Sequence, residues 1–221
     1  MKTETNHPAK YSNSLMQPMS DILLAHNCVT VLDPFAGTGK IHTLPFDTWG
    51  LEIEPEWATM HPNTIVGDAL NMPFKDSMFD AVCTSPTYGN RMADSHTATD
   101  ASKRITYTHR LGRKLSANNS GSLQWGEKYK EFHRKAWAEC IRVVKPCGVV
   151  IINISNHIRN GYEVDVTNWH IDEMIRQGCV LVEKQNVNTP RMGFGANKTK
   201  RVQYESLCVF LTPQSNEEFA A

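Results

Sequence analysis

Short uninterrupted apolar runs alternate along the chain with longer stretches in which apolar residues recur every three to four positions. The runs fall at 29–32, 48–53, 64–66, 81–84, 149–154, 180–186 and 204–211, and the helical patterns at 15–25, 54–60, 127–144 and 167–177. A strand covered on both faces reads as a continuous hydrophobic run, whereas a helix lying on a sheet shows one apolar stripe. The alternation therefore predicts an α/β fold, a seven-stranded, mostly parallel sheet with helices on both faces. The last two runs follow one another with no helical pattern between them, which predicts an antiparallel last strand. Residues 89–126 are rich in Ser, Thr, Asn, Gly and His and lack periodicity, so they read as an irregular insertion at a site.

With 221 residues and 40% hydrophobic content, the chain is expected to form one domain over 1–221, with insertions at about 89–126 and 189–203. The run Val149-Val150-Ile151-Ile152 is far shorter than the roughly 20 residues of a membrane-spanning helix, and Met1-Lys2-Thr3-Glu4 leads into polar sequence. A cytoplasmic protein with no membrane partner is expected. The six cysteines form no C-x-x-C pair and no zinc-ligand spacing with histidine, which argues against a metal site or a disulfide framework. The charge balance of 23 basic and 23 acidic residues hides an uneven distribution. Six basic residues (Arg91, Lys103, Arg104, Arg110, Arg113, Lys114) face two acids in 89–126, a net +4. Arg191, Lys198, Lys200 and Arg201 give another +4 in 189–203, leaving −8 on the rest. Two basic segments on an acidic body point to a polyanionic partner.

The first apolar run ends in Asp33-Pro34-Phe35-Ala36-Gly37-Thr38-Gly39-Lys40. Glycines at 37 and 39 allow a sharp bend and close approach of a ligand to the main chain. A dinucleotide fingerprint would place a third glycine where His42 stands, and the spacing is wrong for a phosphate-binding P-loop. Glu52 closes the second run and can accept hydrogen bonds from two ribose hydroxyls, while Glu54 is alternatively the start of the next helix. Asp68 closes the third run and can accept from an adenine amino group. Three acids at successive strand ends suggest a ligand that contains adenosine but is no dinucleotide.

With these residues in place, the chain resembles the class I S-adenosylmethionine-dependent methyltransferases, from about His7 to Thr212. Asp-Pro-Phe-Ala-Gly-Thr-Gly is similar to that family's first motif in enzymes that methylate exocyclic base amines, and His7-Pro8-Ala9-Lys10-Tyr11-Ser12 resembles the segment that lies against the methionine end of the cofactor. The resemblance implies a Rossmann-like sheet, S-adenosyl-L-methionine as cofactor, and a cofactor site of Tyr11, Asp33, Pro34, Phe35, Gly37, Gly39, Glu52, Ile53, Asp68 and Ala69. After the fourth run, Ser85-Pro86-Thr87-Tyr88 resembles the (Asp/Asn/Ser)-Pro-Pro-(Tyr/Phe) signature of amino-methyltransferases, with Thr87 in place of the second proline. An amine conjugated to its ring is a poor nucleophile, and acceptors on its hydrogens draw its lone pair toward the methyl group. By the resemblance, the Ser85 hydroxyl and Pro86 carbonyl are these acceptors and Tyr88 stacks on the base. The base would have to be rotated out of a duplex first.

Pro146-Cys147 precedes the fifth run and reads as a turn, not as the nucleophile of a carbon-5 methyltransferase. Arg91, Arg104, Arg110, Arg113, Lys114, Arg191, Lys198, Lys200 and Arg201 are candidate phosphate contacts, and Tyr107, His109 and Trp125 offer flat surfaces for unstacked bases. Asn153, Ser155, Asn156 and His157 either line the pocket floor or serve as turn and cap residues, while Tyr129, Phe132, Trp137 and Ile141 read as core. The leading expectation is a DNA methyltransferase acting on a cytosine or adenine amine. An RNA methyltransferase and a catalytically silent nucleic-acid-binding protein are the alternatives, and the oligomeric state is left open.

Overall fold

Alternate residues of each strand feed two separate apolar layers, and this period-two partition builds the domain. In a computed structural model describing residues 12–89, 106–189 and 200–214, the strands are β1 (Thr30–Asp33), β2 (Asp47–Glu52), β3 (Thr64–Val66), β4 (Phe79–Thr84), β5 (Val144–Ile154), β6 (His157–Arg159), β7 (Tyr162–Val164), β8 (Val180–Asn188) and β9 (Tyr204–Leu211). The helices are α1 (Asn13–Ala25), α2 (Pro55–Ala58), α3 (Tyr107–Leu111), α4 (Glu127–Val143) and α5 (Val166–Arg176). Seven strands form one sheet in the order β3-β2-β1-β4-β5-β9-β8. Neighbours from β3 to β5 pair in parallel, while β9 runs antiparallel to both β5 and β8. This is the Rossmann-like arrangement expected.

Val31, Ala81, Cys83, Val149, Ile151, Leu207 and Val209 face Leu15, Met19 and Leu23 of α1. Their chain neighbours Leu32, Val82, Val150, Ile152, Cys208 and Phe210 face the other way, against Trp137 and Cys140 of α4 and Ile171 and Met174 of α5. Tyr129, Phe132, Trp137 and Ile141 are all buried, as expected of core positions. The chain leaves β3 at one edge and returns to β4 beside β1, so the strand order reverses at the β1–β4 pair. Such a reversal opens a crevice at the carboxyl ends of the strands. Because β9 is reversed, its first residues reach that same edge: Ser206 pairs with Ile154 and Leu207 with Asn153.

Several elements differ from the sequence expectation. The helix expected at 54–60 is one turn, Pro55–Ala58, because His61 precedes Pro62 and is steered out of helical geometry into the turn before β3. The insertion is not irregular throughout, since it carries α3 and a 3-10 turn at Ser120–Ser122. A hairpin of β6 and β7 follows β5, closed by Asn160 and Gly161 at φ of 52° and 81°. Strand β5 starts at Val144, and its register against β4 jumps from Phe79↔Val144 to Ala81↔Val149. The intervening residues bulge, with Cys147 exposed at φ 56° on the edge opposite the crevice. Among the described residues no helix is long and apolar enough to cross a membrane, and no three His, Cys, Asp or Glu side chains cluster as metal ligands would.

Gly148 closes the bulge. A Cβ there would lie 2.5 Å from Val144 Cγ1, 2.7 Å from the Lys145 carbonyl oxygen and 2.8 Å from that of Asp80. Gly148→Ala should therefore lower stability by about 1–3 kcal/mol in urea denaturation, and an unchanged midpoint would show that the bulge yields freely.

Candidate active site

The site begins with Asp33 at the tip of β1. Its buried Oδ1 accepts from the Phe35 backbone N–H at 3.0 Å and from Thr84 Oγ1, at the tip of β4, at 2.6 Å. The chain then turns through Gly37 and Gly39 with left-handed φ of 53° and 80°. A Cβ on Gly39 would sit 2.7 Å from His42 Cδ2. His42, at the place of a third glycine, binds the hydroxyls of Thr48 (2.9 Å) and Thr64 (2.8 Å) and stacks on His61 at 3.7 Å. The ring thus ties β2 to β3. Burial, and then the neighbouring His61, lower its pKa to about 4.

Glu52 ends β2 almost wholly buried, with Oε2 accepting from the Gly37 N–H (3.0 Å) and Oε1 from the Glu54 N–H (2.9 Å). Loss of solvent raises its pKa to about 7, opposed by those two N–H groups and reinforced by the charges of Glu54 and Asp33. Asp68 accepts from the Leu70 N–H (2.9 Å) and from Asn118 Nδ2 (2.6 Å). Ile53 is half-buried beside Glu52, and Ala69 and Pro34 are buried. Phe35 packs on Phe132 and edge-on against Trp137. Lys40 Nζ donates to Asn13 Oδ1 at 2.9 Å, bringing the start of α1 to the glycine loop. Tyr11 lies outside the described residues.

Glu54 does more than open α2. Fully buried, it accepts from Arg113 Nη2 (2.7 Å), the Ser116 N–H (2.8 Å), Ser116 Oγ (3.0 Å) and Asn119 Nδ2 (2.8 Å). Arg113 also donates through Nε to Glu56 at 2.8 Å, and the two carboxylates raise its pKa. Arg113, expected as a phosphate contact, is thus a half-exposed clasp that pins the insertion to α2. Tyr107 is buried, edge-on to Trp57 at 5.9 Å, and is a packing residue. Trp125 packs on Tyr129 and Trp169, and its backbone N–H donates to the Gly89 carbonyl at 2.9 Å. Arg110, Lys114 and Lys200 are exposed, and Arg201 is half-buried. Arg91, Lys103, Arg104, Arg191 and Lys198 lie outside the described residues, as does the His109 side chain. A cavity of about 180 Å³ separates the insertion from α4, bounded by Leu70, Asn118, Asn119, Leu123 and Phe132.

The loop after β4 is fixed from outside. Tyr129 OH donates to the Thr87 carbonyl at 2.6 Å, and Thr87 Oγ1 donates to the Ser120 carbonyl at 3.2 Å. Trp137 Nε1 donates to His170 Nδ1 at 3.0 Å, so the proton of His170 resides on Nε2 and is directed at Tyr129 OH, 2.9 Å away. Burial keeps the pKa of His170 well below its ordinary value, with His133 adding to the effect. A donor chain thus runs from Trp137 of α4 through His170 of α5 to Tyr129 and ends on the carbonyl of Thr87.

Ser85, Tyr88, Asn153 and Glu205 meet in one polar cluster. Tyr88 OH donates to Glu205 Oε2 at 3.0 Å and lies 3.1 Å from Ser85 Oγ. Asn153 Nδ2 reaches Glu205 Oε2 at 2.6 Å, and both Ser85 Oγ and Tyr88 OH at 3.1 Å. The buried Asn153 Oδ1 has no partner among the described residues. Pro86 is buried, and the ring of Tyr88 packs against the α4-side core. Of the residues expected on the pocket floor, only Asn153 joins this cluster. Ser155 donates to the Tyr204 carbonyl, and Asn156 accepts from the Thr167 N–H at the start of α5 and donates to Glu163. His157 opens the hairpin and is half-buried. Glu205 carries no motif. The period-two face that Cys83, Ile151 and Leu207 share, extended to the carboxyl edge, is the signal that places it with Ser85 and Asn153.

No protein-family model and no curated protein matches the chain. Many solved structures share its fold. The N-methyltransferase NodS from Bradyrhizobium japonicum WM9 is 12% identical with a TM-score of 0.53, covering 91% of this chain and 98% of its own. A SAM-dependent methyltransferase from Leishmania major is 10% identical with a TM-score of 0.55, over 90% and 72%. The [4+2]-cyclase SpnF is 11% identical with a TM-score of 0.57, over 96% and 86%. The fold is therefore one common among methyltransferases, and it also serves a cyclase, so the chemistry must be argued from the site.

Tyr129→Phe removes the donor of the part-buried Thr87 carbonyl and should cost about 1–3 kcal/mol in urea denaturation. A neutral result would show that water replaces the hydroxyl. The Glu52 carboxyl titrates near 7 in the folded chain and near 4.5 unfolded, so folding binds a proton between these values and the contribution of the residue declines as pH rises through them. The stability of Glu52→Gln minus that of wild type should grow between about pH 4.5 and 7 and level off above. A flat difference would place that carboxylate in water.

Proposed function

We propose that the protein transfers a methyl group from S-adenosyl-L-methionine to an exocyclic amino group of cytosine or adenine in DNA. One observation carries this reading: the oxygen-rich Ser85–Tyr88 cluster follows β4 directly, and β4 is bonded at its tip to the residue that opens the glycine loop, Thr84 to Asp33 at 2.6 Å. An acceptor site for an amine thus stands one strand away from a backbone cradle for a nucleoside. The cradle fits the cofactor, since Gly37 and Gly39 turn the main chain there through left-handed φ and Glu52 is a buried carboxylate with no cation among its hydrogen-bonded partners in the described residues. The main chain at Ala36–Gly39 would hold the methionine end, Glu52 the ribose and Asp68 the adenine, with Asn118 giving up its bond to Asp68. Bound there, the cofactor supplies an electrophilic methyl group.

In this reading the Ser85 hydroxyl and Pro86 carbonyl accept the two amine hydrogens and bias the nitrogen lone pair toward the methyl group. Positioning supplies much of the remaining acceleration. Exposed Arg110, Lys114 and Lys200 favour a phosphate backbone as partner. The N-methyl chemistry named for NodS is compatible with an amine acceptor.

Purified protein incubated with methyl-labelled cofactor should label duplex DNA at base amines, and label confined to transfer RNA would reject DNA as the substrate. Ser85→Ala should lower turnover by about 10²-fold or more with nearly unchanged cofactor affinity by calorimetry. A wild-type rate would remove the hydroxyl from the chemistry.

A further inference from the structure

We infer that Glu205 is the proton acceptor for the amine, reached through Tyr88 and Ser85. The inference rests on the amine-methylation reading above, but its argument comes from the direction of the hydrogen bonds. Tyr88 has one hydroxyl proton, and it is donated to Glu205 Oε2 at 3.0 Å. The 3.1 Å contact between Ser85 Oγ and Tyr88 OH must then have serine as donor. Asn153 directs one Nδ2 hydrogen to Glu205 at 2.6 Å and the other between Ser85 Oγ and Tyr88 OH. Ser85 Oγ therefore gives its proton inward, accepts from Asn153, and keeps one lone pair for an incoming N–H.

The three links lie on neighbouring strands by register. Ser85 follows β4, Asn153 is in β5, and Glu205 is the second residue of β9, which enters the carboxyl edge because β9 is reversed. Glu205 is 7% exposed, so this carboxylate is set inside the protein.

When the amine attacks, its lone pair forms the new N–C bond, the methyl group's bond to its donor breaks, and the donor keeps that electron pair. The nitrogen is left with one proton too many. That proton passes to Ser85 Oγ as the serine proton moves to Tyr88 OH and the tyrosine proton to Glu205. Nitrogen ends neutral, both hydroxyls are regenerated, and the carboxylate becomes a carboxylic acid. The proton leaves by the reverse path after the product departs. Glu205 thus acts through Tyr88 as a positioning residue, and of the three members of the relay Ser85 is the one that touches the amine.

Glu205→Gln keeps an acceptor for Tyr88 and Asn153 but cannot take up a proton. In single-turnover methylation of DNA it should be slower by about 10²–10⁴-fold, with unchanged cofactor and DNA affinity. Tyr88→Phe, which keeps the ring and cuts the chain, should be slowed comparably, and the double variant should be no slower than either single one. A second readout needs no cofactor: in protein with ¹³C-labelled tyrosine, the Tyr88 Cζ resonance, assigned by its absence from Tyr88→Phe, should shift between wild type and Glu205→Gln, as the hydroxyl exchanges a carboxylate acceptor for an amide. A glutamine variant with the wild-type rate and an unshifted tyrosine resonance would overturn the relay. Wild-type protein that methylates no base amine would instead count against the proposed function, and the tyrosine shift would still report on the hydrogen-bond chain.

Discussion

A single hydrogen bond, Thr84 Oγ1 to Asp33 Oδ1 at 2.6 Å, holds the two working loops in a common frame. Both residues are fully buried, at the tips of adjacent parallel strands whose register is set by Val31↔Ala81 and Leu32↔Val82. A carboxylate in that position is costly without donors, and Thr84 and the Phe35 N–H supply two. The glycine loop leaves directly after Asp33 and the Ser-Pro-Thr-Tyr loop directly after Thr84. Their relative placement is therefore fixed by sheet pairing and one buried bond, before either loop adopts its own shape.

The second loop achieves by external contacts what a second proline would achieve covalently. Proline restricts φ of its own residue, whereas here Thr87 is held at its carbonyl by Tyr129 and at its hydroxyl by the Ser120 carbonyl. Behind Tyr129 stand His170 and Trp137, and the chain has one consistent direction, since each member receives on one side what it gives on the other. A second proton on His170 would take away the acceptor that Trp137 needs. Keeping that imidazole neutral in a dry environment is thus a requirement of the loop geometry, and the lowered pKa of His170 is its thermodynamic expression. Neighbouring His133, also buried and lowered to about 4, belongs to the same aromatic layer.

The main sheet is legible in the sequence because strands buried on both faces print as plain apolar runs, and all seven were locatable to within a few residues, apart from the early start of β5. The hairpin is not: its strands are half-exposed, Ile158 is their one aliphatic residue besides Val164, and the signal is confined to Asn160-Gly161. Asp33, Gly37, Gly39, Glu52 and Ser85 are legible because each follows a run at a place where chemistry collects. Glu205 is not, since Tyr204-Glu205-Ser206 looks like any strand start until the direction and partners of β9 are known. The pairing of Arg113 with Glu54 and Glu56 is hidden from charge counting for a related reason. A basic segment facing solvent and one clasped to a buried glutamate have the same composition, and only packing separates them.

Strand β9 is gripped on both sides, by β5 from Val149↔Leu211 to Ile154↔Ser206 and by β8 from Val180↔Leu211 to Asn188↔Tyr204. Its longitudinal position is consequently indifferent to the length of chain that joins it to β8. The connection can be lengthened, shortened or rewritten while the carboxylate at the start of the strand keeps its place beside Ser85, Tyr88 and Asn153. Loop length and cluster geometry are, in this architecture, mechanically uncoupled.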